Sequence, residues 1–199
     1  GLSTEYDSDW VGRYTATKSE VHTLNINPSF ASKISDKLSV GFGLNIQYIE
    51  ATLANELDTA LLCVKVDSSA LGGNPGDPAT AYTATCNGGF GLTIGTRATD
   101  SSQSLTGDDW STGWNLGLLY DLDTESRLGV AYRSSIKHNL EGNVTFTRST
   151  DLQTFLTAAG ASNLLFLNGP ITAGLELPES LSVSYHRDID SKLSIMADV

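Results

Sequence analysis

The residues that could carry out chemistry are few in this chain and widely spaced. Its cysteines are Cys63 and Cys86, and its histidines are His22, His138 and His186. An even pair of cysteines in an exported protein predicts a disulfide, and closing this loop would be worth about 3 kcal/mol in the chain-entropy model. A metal site at the cysteines is the weaker alternative, because no histidine lies in the loop that contains them. The histidines fall on three different predicted strands without a nucleophile motif, so we expect no enzyme, no metal and no cofactor.

Charged residues suggest a second set of contacts. Arg133, Lys137 and Glu141 share one face of a predicted strand, where they form either an internally paired ladder or a contact for a ligand carboxylate. Three aspartates could bind calcium, although such loops are more often simply solvated: Asp100, Asp108 and Asp109. The chain has 12 Lys and Arg against 23 Asp and Glu, a net charge of −11. This balance argues against nucleic acid as a partner, because phosphate binding needs clustered basic residues.

Apolar residues in the segment 147–174 predict a short helix followed by an exposed apolar run. Ser149 or Thr150 can cap the helix and Gly160 can end it. One face of this helix carries Leu152, Phe155, Leu156 and Ala159. The run that follows is Leu164, Leu165, Phe166 and Leu167. A lone helix cannot hide all of these side chains, and we expect Phe155, Leu156, Leu165 and Phe166 to lie partly exposed.

The segment 55–110 predicts a second helical turn, capped by Asn55. Its apolar residues are Leu57, Leu61, Leu62 and Val64, with Phe90, Leu92 and Ile94 further along the chain. Two interpretations stay open for these segments. Each long loop packs a miniature core of its own, or the loops together form an apolar groove for a hydrophobic ligand.

The elements that position these residues are predicted β-strands with period-two alternation. In the segment 38–49, every even residue from Leu38 to Tyr48 is apolar and Gly, Ser, Asn or Gln fill the odd positions between them. Comparable runs cover 20–32, 112–122, 127–146 and 175–186, and a last run begins at Leu193. Several of these strands exceed the five or six residues that are usual in soluble proteins. No run of about 18 apolar residues predicts a transmembrane helix.

Connections between the predicted strands alternate between short and long. Short polar turns fall at 35–37, 123–126 and 188–192, and long loops fall at 7–17, 55–110 and 147–174. This plan is typical of a bacterial outer-membrane barrel. The apolar stripe then faces lipid and the polar stripe faces the lumen, with Asn45, Gln47, Asn115, Arg133, Lys137 and Glu141 as polar lumen residues.

Aromatic residues support the same plan by falling at two predicted levels. Trp114 and Tyr48 lie near the long-loop end of their strands. The short-turn end carries Tyr120, Tyr132, Tyr185 and Phe30. Aromatic girdles at the two membrane interfaces would produce this distribution.

Four stretches in consistent order carry a family resemblance. They are "GLSTEYDSDWVGRY" at 1–14, "TLNINPSFASKISDKLSVGFGLNIQYIEATLAN" at 23–55, "GWNLGLLYDLDTESRLGVAYRSSIKHNLEGNVTF" at 113–146 and "LELPESLSVSYHRDIDSKLSIMADV" at 175–199. Together they resemble the long-chain fatty acid and toluene transporter family of Gram-negative outer membranes. The resemblance implies an all-β, antiparallel, up-and-down transmembrane β-barrel of 14 strands with an N-terminal plug and a lateral opening. Residues 1–199 would supply about six of those strands, so we expect an internal piece of a longer protein without a signal peptide.

The resemblance also implies a function, namely passive uptake of fatty acids or aromatic hydrocarbons across the bacterial outer membrane. The two longest loops would build the capture site from Leu57, Leu61, Leu62, Phe90, Leu152, Phe155, Leu156, Leu164, Leu165 and Phe166. In the fatty-acid branch of the family a basic residue helps to hold the carboxylate. Asn55 occupies the matching position here, with Glu50 and Glu56 flanking it, so a neutral hydrocarbon is a serious alternative.

The expected partners are a hydrophobic small molecule, outer-membrane lipid and lipopolysaccharide, and we expect a monomer. Two alternative functions stay open at this stage. One is a general hydrophilic porin, which the polar lumen residues would also suit. The other is a soluble β binding or adhesion module, which would not need detergent.

Overall fold

The computed structural model describes residues 1–70 and 82–199 of the chain, in which antiparallel β-strands dominate. The strands are β1 Leu2–Glu5, β2 Lys18–Ile26, β3 Ser29–Lys33, β4 Leu38–Leu57, β5 Ser101–Asp121, β6 Ser126–Arg133, β7 Ile136–Thr147, β8 Gly169–Leu177, β9 Ser180–Asp190 and β10 Leu193–Asp198. The α-helices are α1 Thr59–Ala70 and α2 Thr150–Ala158, and shorter helical turns lie at Tyr82–Asn87 and Arg97–Thr99. Within the described ranges, no helix has the length and apolar character that crossing a bilayer requires.

The described residues form two compact units. The first, called the loop unit here, contains Gly1–His22, Glu50–Gly107 and Glu141–Thr172. The second, called the strand unit, contains Thr23–Ile49, Asp108–Leu140 and Ala173–Val199. All the long loops belong to the loop unit and all the short turns to the strand unit.

Several predicted strands are each divided into two by a short break. Within the sheet, hydrogen-bonded neighbours run in the order β1-β2-β4-β5-β6-β9-β10. In addition, β3 pairs with β4, and β7 pairs with β5 and β8. The breaks lie at 27–28, 134–135 and 178–179, and the first and last of them contain Pro28 and Pro178. Proline has no N–H group and therefore cannot donate to the neighbouring strand. The predicted runs 20–32, 127–146 and 175–186 are thus pairs of shorter strands.

Strand lengths also differ from the prediction at the long loops. β4 continues to Leu57, and β5 begins at Ser101 rather than at residue 112. β8 begins at Gly169, before the predicted start at residue 175. The two longest loops therefore cover 58–100 and 148–168.

The three short turns predicted from the sequence are confirmed, and polar side chains fix each of them. Asp123 Oδ1 accepts hydrogen bonds from the backbone of Glu125 at 2.8 Å and Ser126 at 2.7 Å. These backbone hydrogen bonds lower the pKa of Asp123 because they stabilise its ionised form. Ser35 Oγ and Asp190 Oδ1 accept equivalent bonds in the other two turns. Side chains that bind the backbone two residues on are what makes these residue types favour turns.

The strand unit has a polar face and an apolar face, as the alternation predicts. On β4 and β5 the apolar side chains are the exposed ones, with Leu44 at 46% and Leu118 at 48% exposure. Asn45, on the opposite face, is only 1% exposed. A water-soluble protein would bury the leucines and expose the amide. This inverted exposure is the arrangement expected of strands whose apolar side faces lipid.

Aromatic rings on the apolar face form contacts that only partly follow the predicted levels. Tyr48 packs against Trp110 with ring centroids 5.2 Å apart. Tyr132 packs against Trp114 at 5.1 Å. The placement of Tyr132 at the short-turn level is therefore wrong. In the β5–β6 register Tyr132 lies opposite Leu116, four residues further from the turn than Tyr120 on β5.

Strand β7 reverses the predicted orientation of two charged residues. His138 contacts Gln47 and Asp109, which lie on the polar face, and its side chain is buried. Side chains alternate along β7, so Lys137 points to the side opposite to His138. Glu141 lies four residues after Lys137 and points to the same side as Lys137. The prediction that Lys137 and Glu141 share the polar face with Arg133 is wrong. The break at 134–135 changes which residues of the strand face each side.

Candidate functional site

Helix α2 forms as the sequence predicts and begins the candidate ligand site in the loop unit. Ser149 Oγ accepts a hydrogen bond from the Leu152 backbone N–H at 3.2 Å, which satisfies one of the free donors at the helix start. Gly160 ends the helix with a left-handed backbone at φ 66°. Leu152, Phe155 and Leu156 form its buried face.

Helix α1 begins later than predicted. Asn55 and Leu57 are the last residues of β4 rather than parts of a helical turn. Asp58 is the cap, because its Oδ1 accepts from the Ala60 backbone at 2.9 Å and the Leu61 backbone at 3.2 Å. Its Oδ2 accepts from the Gly95 backbone at 2.7 Å, so one carboxylate holds both ends of the loop. The assignment of Asn55 as the cap is wrong because a carboxylate three residues later makes those bonds.

The two long loops share one apolar core. Its buried members come from both loops: Ala60, Cys63, Val66, Cys86, Leu92, Leu152, Phe155, Leu156 and Ala161. Phe90 packs edge-on against Phe155 with ring centroids 5.3 Å apart. Separate miniature cores therefore do not describe this arrangement, because both loops contribute to one core. Phe155 and Leu156 are fully buried, so their predicted exposure is wrong; residues of the other loop cover them.

The two cysteines lie inside this shared core. Cys63 on α1 and Cys86 on the turn Tyr82–Asn87 form a disulfide in the structure, with Cα atoms 5.9 Å apart. Both residues are fully buried. The link joins the ends of a segment whose residues 71–81 lie outside the described part of the chain.

The segment after α2 is held by Arg148, a residue that no sequence pattern singled out. Its guanidinium donates to the backbone carbonyls of Phe166 at 3.1 Å, Ser162 at 3.0 Å and Leu165 at 2.8 Å. Phe166 has a positive φ of 54°, which is uncommon for a bulky residue. Strain of this kind persists only where neighbouring contacts impose it, and the Arg148 hydrogen bonds supply such contacts.

The predicted apolar run forms an exposed edge beside the shared core. Leu165 and Phe166 are half-buried against the core, and Phe166 also contacts Phe146. Leu164 is 75% exposed and Leu167 is 47% exposed. We call Leu164, Leu165, Phe166 and Leu167 the apolar edge. Among the other predicted ligand residues, Leu61 is exposed on α1, whereas Leu62 and Phe90 are half-buried against the core.

A buried ionic cluster joins the first long loop to the start of β5. Arg13 Nε donates to Asp100 Oδ2 at 2.7 Å, and an Arg13 terminal nitrogen donates to the Tyr14 hydroxyl at 2.6 Å. That hydroxyl donates to Asp100 Oδ1 at 2.9 Å. Burial, reinforced by the hydrogen bond to Asp100, raises the pKa of Tyr14 to about 12. The expectation that Asp100 is solvated is wrong, because Arg13 and Tyr14 enclose its carboxylate.

The polar face of the strand unit carries an amide cluster. Asn45 Oδ1 accepts from Asn25 Nδ2 at 2.9 Å and from Asn27 Nδ2 at 3.1 Å. These two bonds fix the amide orientation and leave Asn45 Nδ2 buried without a hydrogen-bond partner among the described residues. Asn115 lies beside Gly43 on the same face, and a Cβ at position 43 would lie 2.6 Å from the Asn115 Oδ1, so the Asn115 side chain would have to move.

A second polar contact lies on the same face. His138 Nδ1 is 3.0 Å from Asp109 Oδ2, and His138 Nε2 is 3.0 Å from Gln47 Oε1. Asp109 Oδ2 also accepts from the Asn139 backbone at 3.1 Å. The predicted polar residues Asn45, Gln47 and Asn115 therefore do lie together, and His138 joins them although its sequence position did not suggest it.

Comparisons with known proteins assign the chain to a family. A family model described as "Outer membrane protein transport protein (OMPP1/FadL/TodX)" matches residues 1–199. The chain belongs to this family. It is 30% identical over 201 residues to the long-chain fatty acid transport protein of Escherichia coli O157:H7, covering 98% of this chain and 42% of that protein. It is 26% identical to outer membrane protein P1 of Haemophilus influenzae over 98% of this chain and 38% of that protein.

Solved structures of the OMPP1/FadL/TodX family show the same fold. A Pseudomonas aeruginosa FadL homologue matches with a TM-score of 0.76 and 21% identity, over all of this chain and 42% of that one. The Ralstonia pickettii toluene transporter TbuX matches with a TM-score of 0.61 and 18% identity, over all of this chain and 47% of that one. The fold is an antiparallel sheet that belongs to a larger outer-membrane β-barrel. The chain spans less than half the length of these relatives, and the family is one of transporters rather than enzymes.

Proposed function

We propose that the whole protein is a passive outer-membrane transporter that takes up hydrophobic small molecules, either long-chain fatty acids or aromatic hydrocarbons. The apolar edge carries this proposal. Leu164 and Leu167 are exposed, although Leu165 and Phe166 between them pack against the shared core. Relatives named as a long-chain fatty acid transport protein and as a toluene transporter support the same class of cargo.

The mechanism follows from the chemistry of the apolar edge. A hydrophobic solute gains about 1.5–3 kcal/mol for each large apolar side chain that it removes from water. Several such contacts reach the roughly 8 kcal/mol that a micromolar complex requires. The solute then partitions toward the membrane without a cofactor or an energy source. In this proposal the protein is a monomer, its apolar face contacts lipid, and its loops contact lipopolysaccharide.

The test uses the full-length protein with Leu164→Ser and Leu167→Ser together. We expect uptake of a radiolabelled fatty acid or of toluene at low concentration to fall about tenfold, because two apolar contacts are lost. Barrel folding, measured by heat-modifiable gel mobility, should be unchanged, since both side chains are exposed. Phe155 is unsuitable for this test because it is buried in the shared core.

The matched control is Val11→Ser, which removes an apolar side chain that is 87% exposed on the first long loop. Uptake by this variant should equal that of the wild type. If the double variant folds and takes up the hydrophobic solute normally, the capture role of the apolar edge is refuted. A general porin would instead show altered passage of sugars with unchanged hydrocarbon uptake.

A further inference from the structure

We propose that Arg133 is an anion anchor on the polar face of the strand unit, which holds the carboxylate of an acidic hydrophobic ligand. This inference rests on the proposed transport function and specifies its substrate class. It favours carboxylic acids over neutral hydrocarbons, a choice that the sequence left open. Arg133 is a different residue from Asn55, which by the family resemblance occupies the position of the basic residue in the fatty-acid branch.

The strand register surrounds Arg133 with hydrogen-bonding side chains. Asn115 lies directly opposite Arg133 on β5, and Ser180 lies directly opposite it on β9. Residues opposite each other in antiparallel strands point to the same side of the sheet. A guanidinium between an amide and a hydroxyl offers several donors to one carboxylate, and two of them come from the guanidinium in a fixed planar geometry.

A cavity opens at this position. Its volume is about 730 Å³, and Arg133, Asn115, Ser180 and Ser182 contribute to its lining. Volumes of about 300–1,000 Å³ are usual for sites that hold small molecules. Gly41, Gly117 and Ala131 also line this cavity. Because the glycines have no side chain and the alanine has only a methyl group, there is room for an alkyl chain next to the guanidinium.

Arg133 is available for a ligand because the carboxylate next to Ser180 already has a partner. Glu179 precedes Ser180, and its Oε2 accepts a hydrogen bond from the Tyr132 hydroxyl at 2.5 Å. Among the side chains that the structure describes, none forms an ion pair or hydrogen bond with the Arg133 guanidinium. The unpaired guanidinium attracts an anion locally, whereas the net charge of −11 repels anions from most of the remaining surface.

The experiment compares palmitate with 1-hexadecanol, which has the same chain length but no carboxylate, using the full-length protein in detergent. Binding is measured for the wild type and for Arg133→Gln. We expect palmitate affinity to fall about tenfold or more and hexadecanol affinity to stay the same. The control Lys137→Gln removes a positive charge four residues away on the opposite face, and it should leave both affinities unchanged.

A second variant, Ser180→Asp, keeps Arg133 but places a competing carboxylate opposite it. This variant should show the same selective loss of palmitate binding, and it decides the question if Arg133→Gln does not fold. Equal losses for both ligands, or no loss for either, would overturn the proposal; equal losses would indicate that Arg133 pairs with another part of the protein. If the wild type binds neither palmitate nor hexadecanol, the proposed transport function fails. If the wild type binds both ligands and Arg133→Gln binds them equally well, only the role of Arg133 fails.

Discussion

At the scale of single residues, buried polar side chains fix the position of the loop segments. Asp58 binds both the start of α1 and the Gly95 backbone, and Arg148 binds three carbonyls of the segment after α2. Arg13 binds Asp100. These contacts join residues far apart in the chain, so no local pattern in the sequence predicts them. The cysteine pairing was predictable because only one pairing of the two cysteines exists.

The raised pKa of Tyr14 gives a pH-dependent prediction. Its folded-state pKa of about 12 exceeds the ordinary value of 10.0, because burial and the bond to Asp100 favour the neutral phenol. A group whose pKa is raised on folding stabilises the folded state below its unfolded pKa and loses that contribution as pH rises. The Tyr14 contribution is therefore complete below pH 10 and is lost between about pH 10 and pH 12.

The measurement is an ultraviolet titration of tyrosine ionisation in the wild type and in Tyr14→Phe. Their difference spectrum isolates one phenol, and we expect it to ionise near pH 12. A difference signal with a midpoint near pH 10 would show that Tyr14 is exposed and that the cluster with Arg13 and Asp100 does not form.

The disulfide between Cys63 and Cys86 is a prediction about the exported protein. Its closed loop should stabilise the shared core of the loop unit by about 3 kcal/mol, mainly by restricting the unfolded chain. A non-reduced peptide digest analysed by mass spectrometry should contain the two cysteine peptides linked together. Recovery of both thiols in freely alkylated form would contradict the assignment.

At the scale of elements, the bounds of a helix or strand were predicted correctly where the residues that set them lie within or next to that element. Helix α2 was predicted with both ends because Ser149 and Gly160 lie within one turn of it. The start of α1 was missed because a strand continues into the region that the pattern assigned to the helix. The face reversal on β7 was missed because the irregular backbone at 134–135 interrupts the alternation, so the residues after it, including Lys137, face the side opposite to the one that parity predicts.

The cap of α2 gives a prediction at this scale. Ser149 Oγ accepts from the Leu152 backbone and also lies 3.2 Å from the hydroxyls of Thr59 and Ser101. Ser149→Ala should destabilise the helix by about 1 kcal/mol, which corresponds to roughly fivefold faster hydrogen exchange of its amides. Mass-detected exchange over α2 tests this. Ser149→Thr keeps the hydroxyl and should exchange as the wild type does; equal protection in the alanine variant would show that the cap contributes nothing.

At the scale of the whole molecule, the sequence was sufficient for the architecture but not for the site. Period-two alternation, short polar turns and long loops predicted the outer-membrane plan, and the family match over residues 1–199 confirms it. These signals repeat along the chain, so errors at single strands do not change the conclusion. The candidate site depended instead on contacts between two distant loops. Their shared core buries Phe155 and leaves Leu164 exposed, a distinction that hydrophobicity alone cannot make.

The orientation of the sheet gives the last prediction. If the apolar face contacts lipid, Leu118→Arg places a charge in hydrocarbon and should cost about 2–4 kcal/mol near the midplane. Ser182→Arg is the matched control on the polar face, because Ser182 lies opposite Ala131 and meets no charged residue in register. Asn45 and Asn115 are unsuitable, since Asn45 is buried and Asn115 lies opposite Arg133. Denaturant titration of the full-length protein in phospholipid vesicles should show a large loss for Leu118→Arg and little for Ser182→Arg. Equal losses would mean that the apolar face does not face lipid.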